Sequence, residues 1–152
     1  TNAGIRFLDK LERSKGEEYM FPHVRKAITD AWRRAGIGGV ENLDGIETHD
    51  CFTSTEYMAI DHFGLTPPGQ SWQAIDSGLV ELDGRCPVNA SGGLIGVGHP
   101  VGATGARLLL DAGRQVTGTA GDYQVRGART YGTLNIGGSL GTVVSFVVGL
   151  RD

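Results

Sequence analysis

Apolar residues at Val24, Ala27, Ile28, Ala31, Trp32 and Ala35 recur every three or four positions, the period of a helix that buries one face. Pro22 suits the first turn and Gly36 the end, so a helix is predicted over residues 22–35. Residues 45–50 read as a short strand whose end delivers His49, Asp50 and Cys51 to a strand-to-helix junction, the edge where α/β proteins build sites. A second helix is expected over about residues 53–63, capped by Thr53 or Ser54, with Glu56 at the positive end of its dipole. Pro67-Pro68-Gly69 marks a loop, a short helix follows around residues 72–78, and residues 84–93 read as a shaped loop. Residues 102–116 are helical again, and Leu108, Leu109, Leu110 and Ala112 give that helix an almost wholly apolar middle, predicting a buried position. Two strands, about residues 128–135 and 142–148, close the chain around a glycine turn. This order of elements predicts a layered α/β domain.

Composition narrows the picture. The chain has 152 residues, 39% hydrophobic and 20% charged, enough for one core and too few for two ordinary domains. Glycine is in excess, 25 residues against a usual ~7%, without a G-X-Y repeat and with only 5 prolines, which excludes collagen and low-complexity linker. Nine glycines fall in residues 1–83 and 16 in residues 84–149, so the second part makes the greater demands on backbone geometry. With 14 basic and 17 acidic residues the chain has no electrostatic footprint for nucleic acid or an anionic membrane surface. Its longest apolar stretch, residues 143–150, falls far short of the ~20 residues of a membrane span. Two cysteines make no disulfide scaffold, and a reducing cytoplasm is expected. Residues 1–21 read as a linker or tail and residues 22–152 as the domain; a chain starting at Thr1 is read as a piece of a longer polypeptide.

Three segments place polar groups where packing alone does not explain them. His49-Asp50-Cys51-Phe52 is either a loop with a buried cysteine or a thiol tuned by the helix N-terminus behind it. Asn89-x-x-Gly92-Gly93-x-x-x-x-Gly98-His99-Pro100-x-Gly102-x-x-Gly105 lacks the lysine of a phosphate-binding loop and follows no clear strand, which argues against a nucleotide site. His99, flanked by Gly98 and Pro100, suits proton transfer or donation to an oxyanion, with a structural role as the alternative. Asn135-Ile136-Gly137-Gly138-Ser139-Leu140-Gly141 is either a glycine-rich hairpin or a source of unobstructed amides for an oxyanion hole.

Together and in this order, the three segments resemble the C-terminal half of the thiolase family over about residues 22–149, and the run from Asn89 to Gly105 matches that family's glycine–histidine signature without a gap. Most thiolases have Asn-Glu-Ala-Phe at the first segment and a catalytic cysteine at the position of Asn135; both departures resemble the sterol-carrier-protein type. The resemblance implies a thiolase-like layered α/β fold, the C-terminal half of an αβαβα architecture, with a mixed sheet and a buried helix. It implies that Cys51 is the acid/base for the α-proton of an acyl-CoA. His99 would activate a nucleophilic cysteine and donate to the thioester oxygen, and His49 would replace the asparagine that positions a water in the same oxyanion hole. Gly137 would offer its amide to a second hole, Gly138 would keep the approach open, and Asn135 would be a polar support. Asn89, Gly93 and Gly98 would shape the substrate loop.

The nucleophilic cysteine and most of the coenzyme A surface belong, in that family, to the N-terminal half. The resemblance therefore implies one half of a Claisen-condensing or thiolytic acyltransferase, inactive alone and partnered by an N-terminal thiolase half. A homodimer or higher oligomer is expected, with acyl-CoA as substrate and no bound cofactor or metal. Cys86 precedes the loop where the pattern asks for no nucleophile. The alternatives are a non-catalytic thiolase-like module that partners an acyl-CoA-binding protein and, further off, a free-standing cysteine hydrolase using Cys51 and His99.

Overall fold

Side chains alternate between the two faces of a strand, and here each face meets its own helical layer. In the computed structural model, which describes residues 12, 14–138 and 140–150, three strands form one mixed sheet: β1 (Gly45–Thr48), β2 (Thr130–Gly137) and β3 (Thr142–Gly149), in that order. Most of the segment read as a tail lies outside the described residues, as does Ser139 of the glycine turn. β1 runs parallel to β2, with Ile46 opposite Gly132 and Thr48 opposite Leu134, and β3 returns antiparallel with Leu134 opposite Ser145. A single parallel bridge joins Ile46 to Val88 outside these strands. Asp44 Oδ2 accepts the amides of Arg129 and Thr130 at 2.8 and 2.9 Å, fixing where β1 and β2 start relative to each other.

One face of the sheet packs on α1 (Pro22–Ala35) and α2 (Thr53–Phe63), where Val24, Ile28, Trp32, Ile46, Phe63 and Leu134 form the larger core. The opposite face turns Tyr131 toward Ala112 and Val116 of α5 (Thr104–Thr117). Each such fully buried apolar side chain is worth about 1.5–3 kcal/mol, so the two clusters hold the sheet from both sides. α3 (Ser71–Asp76) and α4 (Gly93–Val97) lie in the connection from α2 to α5. α1 follows the pattern read from its sequence, with Pro22 at its start and Gly36 in the left-handed conformation at its end, its amide reaching the Arg33 carbonyl.

The layered α/β fold with a mixed sheet is therefore found, with three local differences. Residues 93–97, read as loop, form α4, because the Asp50 carboxylate accepts the Leu94 amide at 2.6 Å and the Ile95 amide at 3.4 Å, capping a helix too short to hold alone. The cap of α2 is not Thr53 or Ser54: Phe52 takes the N-cap position, and Thr55 Oγ1 accepts the Phe52 amide while its hydroxyl donates to the Phe52 carbonyl. The buried helix is α5, with its burial confined to one face. Leu108 is wholly enclosed, but Leu110, rotated by two positions, is 53% exposed.

Candidate active site

Parallel pairing carries β1 to its end at Thr48, and the His49 amide continues the ladder by donating to the Leu134 carbonyl at 3.0 Å. This fixes His49, Asp50 and Cys51 at the edge of the sheet. Cys51 is half-buried, with Sγ 3.8 Å from Thr55 Oγ1 in the first turn of α2. His99 arrives from the other side of the site, after Gly98 has turned the chain with φ of 104°, a conformation that suits glycine. The His49 and His99 rings meet edge to face with centroids 4.8 Å apart.

Thr104 holds the His99 ring. Its hydroxyl lies 3.2 Å from the Pro100 carbonyl, to which it donates, and 2.7 Å from His99 Nδ1. A hydroxyl whose one proton is directed at Pro100 accepts from Nδ1–H, and in that arrangement Nε2 of His99 is the proton acceptor. Burial lowers the pKa of His49, and the neighbouring His99 lowers it further, against a smaller opposing effect of Asp50. His49 is accordingly a neutral imidazole at pH 7.

These groups share a cavity of about 490 Å³, bordered by His49, Cys51, Thr55, His99, Gly137 and Gly138, with Phe21, Phe52 and Val101 among its apolar walls. Gly137 ends β2 and is exposed, Gly138 turns the chain with φ of 55°, and His23 Nε2 bonds the Leu140 carbonyl at 3.0 Å, tying the glycine turn to α1. The cavity thus gathers the four residues read as catalytic, together with Gly138.

Asn89 and Gly93 stand apart from that cavity and brace it. Asn89 adopts φ of 55°, accepts the Thr48 amide on Oδ1 at 2.7 Å and donates from Nδ2 to Glu56 Oε2 at 2.8 Å, linking the end of β1 to α2. Burial raises the Glu56 carboxyl pKa, and the Asn89 hydrogen bond opposes that rise. Gly93 has φ of 59°, and a Cβ there would run into the Asp50 carboxylate. Asn89 and Asp50 also border a second, larger cavity of about 790 Å³ with Glu56, Tyr57, Ile60 and Ile95. Asn135 is directed toward Gly105 in the first turn of α5. Cys86 lies in the larger core, where burial pushes its thiol up to about 11 and leaves it inert as a nucleophile at neutral pH.

Sequence reading missed Thr104, Asp50 as the cap of α4, and Glu47, whose carboxylate holds Ser91. For Thr104 the available signal was a hydroxyl residue five positions after His99 at a helix start. For Glu47 it was a carboxylate in a strand buried at every position. Among the described residues no cluster of three or more His, Cys, Asp or Glu side chains is placed to hold a metal ion, and no helix is long and apolar enough to cross a membrane.

Two imidazoles and a thiol at the end of a strand, beside exposed glycines, line one cleft of this α/β domain. The family model described as "Thiolase C-terminal domain-like" matches residues 7–150, and the chain belongs to that family. An acetyl-CoA acetyltransferase of Methanothermobacter thermautotrophicus is 42% identical over 101 residues, covering 66% of this chain and 26% of that protein. Sterol carrier protein 2 of Rattus norvegicus is 36% identical over 129 residues, covering 84% and 23%. A solved structure titled "Ltp2-ChsH2(DUF35) aldolase" superimposes with a TM-score of 0.75 over 84% of this chain and 32% of its own, at 21% identity, a likeness of fold. The chain spans about a quarter of the length of the curated relatives it matches.

Proposed function

We propose that this chain supplies the acid/base and oxyanion-binding half of a thiolase-like acyl-CoA acyltransferase, acting in Claisen condensation or in thiolysis of a 3-ketoacyl-CoA. The observation that supports it is the single cavity shared by His49, Cys51, His99 and Gly137. In this reading His99, with Nδ1 held by Thr104, takes the thiol proton of a nucleophilic cysteine onto Nε2 and then donates that proton as a hydrogen bond to the thioester oxygen. Neutral His49 donates alongside it. Cys51 removes the α-proton of the acyl-CoA in condensation and returns it in thiolysis, while the Gly137 amide stabilises the oxyanion formed at the acylated nucleophile. A reducing compartment suits a working thiol at Cys51.

The nucleophile belongs, on this account, to an N-terminal thiolase half. The test is thiolysis of a 3-ketoacyl-CoA by the 152-residue chain alone and by the same chain joined to such a half. The expected result is turnover in the joined protein only. Turnover by the chain alone would place the nucleophile within these residues and overturn the reading.

A second reading, a non-catalytic module that docks an acyl-CoA-binding partner, draws support from Ile95 and Val97, each 60% exposed, and Val101 at 82%. Light scattering with a coenzyme A titration separates the two. Tight self-association without coenzyme A binding favours the module.

A further inference from the structure

β1 buries four residues in succession, and one of them carries the carboxylic acid of Glu47. A buried carboxyl is costly unless its oxygens are satisfied, and here Ser91 satisfies both: its amide donates to Oε1 at 3.1 Å and its hydroxyl to Oε2 at 2.6 Å. Ser91 Oγ in turn stands 3.4 Å from the Gly93 amide, at the start of α4. Residues 89–97 are thereby tied to β1 and its extension at three places: Asn89 to Thr48, Ser91 to Glu47, and Leu94 to Asp50. His99 follows two residues later.

We propose that Glu47 is a positioning residue of the acid/base cleft, clamping Ser91 so that residues 89–97 are seated on β1 and present His99 to His49. Its role in turnover rests on the acid/base reading above. The clamp itself does not.

The clamp is poised to respond to pH. Asp111 and Arg107 act on Glu47 from α5, with Arg107 Nη1 3.4 Å from Asp111 Oδ2, while the Tyr131 hydroxyl faces it from β2. Burial is the largest influence and raises the carboxyl to about 7, with Asp111 adding to the rise; Ser91 and Arg107 oppose it. The ionised carboxylate accepts both Ser91 donors. Once protonated, the carboxyl keeps the Ser91 amide on one oxygen and donates its own O–H to Ser91 Oγ, so the hydroxyl bond reverses direction and the charge that strengthened both bonds is lost.

The test follows the Ser91 and Leu94 amides and the His49 and His99 ring protons by NMR from pH 5 to 9, in the full 152-residue chain, in Glu47→Gln and in Ser91→Ala. The expected result is an inflection of the Ser91 amide near pH 7 that is absent in Glu47→Gln. Ser91→Ala weakens the cross-relaxation between the two imidazoles. A Ser91 amide that does not titrate, an inflection that survives in Glu47→Gln, or cross-relaxation between the imidazoles unchanged in Ser91→Ala would overturn the proposal. No substrate enters the measurement, so its failure leaves the acid/base reading standing.

Discussion

Hydrogen bonds hold both the exposed imidazole of His99, through Thr104, and the buried imidazole of His62. Thr104→Val keeps the shape of the side chain and removes the hydroxyl that bonds His99 Nδ1, so the ring loses its anchor. A neutral hydrogen bond is worth about 1 kcal/mol, and kcat/KM of the joined enzyme is expected to fall roughly five- to tenfold with little change in Tm. Steady-state thiolysis and a thermal melt check both. His62 is held neutral from two sides. The Phe21 amide donates to Nε2 at 3.1 Å, and Nδ1 donates to the Met58 carbonyl at 2.8 Å. Burial depresses its pKa, more strongly than Met58 and Asp61 raise it. The unfolded chain binds this proton below about pH 6.5 and the native chain only at lower pH, so stability falls as pH drops below 6.5. His62→Asn retains a donor for Met58 and does not titrate. Urea midpoints at pH 7.5 and 5.5 are expected to differ less in that variant than in the parent chain.

The elements that matter most to the cleft are the shortest. α4 spans five residues and depends on Asp50 at its N-terminus. Gly93→Ala forces both an unfavourable left-handed alanine and a collision with that carboxylate, and is expected to destabilise the chain by roughly 2–4 kcal/mol. Gly96→Ala, at a position where a Cβ meets nothing within 4 Å, is the control expected to leave Tm nearly unchanged, and differential scanning calorimetry reads both. β1 makes the opposite prediction through Glu47. Its folded pKa of about 7 stands above the ordinary value of 4.5, so the native state holds a proton that the unfolded chain has released. That contribution is fully present below pH 4.5 and is lost as pH rises to about 7, by roughly 3 kcal/mol at most. Glu47→Gln is therefore expected to stabilise the chain at pH 8 relative to its effect at pH 5, as measured by urea unfolding. The two pH effects oppose each other between 4.5 and 6.5, which is why each is read against its own variant.

Across the whole molecule, what was legible in the sequence was what recurs locally. The period of α1, the strand that begins at Gly45 and delivers His49, and the paired terminal strands follow from spacing, and the glycine-rich segments mark where the cavity forms. What was not legible depends on residues distant in the chain. Asp50 meets Leu94 forty-four positions later, and Glu47 meets Ser91 across the same interval, so neither pattern near 50 nor pattern near 91 discloses the contact. The one-sided burial of α5 was obscured because three successive leucines point over more than half the helix circumference, and periodicity does not say which of them the sheet covers. The larger claim, that these residues form half of an acyltransferase site, turns on Cys51. The most direct test joins the chain to an N-terminal thiolase half and follows, in Cys51→Ala, both acylation of the nucleophile by acyl-CoA and turnover of 3-ketoacyl-CoA. The acyl-enzyme is expected to form as in the parent protein while thiolysis falls by about 10²–10⁴-fold, the usual worth of a positioned acid/base. Thiolysis at the parent rate in Cys51→Ala would contradict the account and place the acid/base elsewhere.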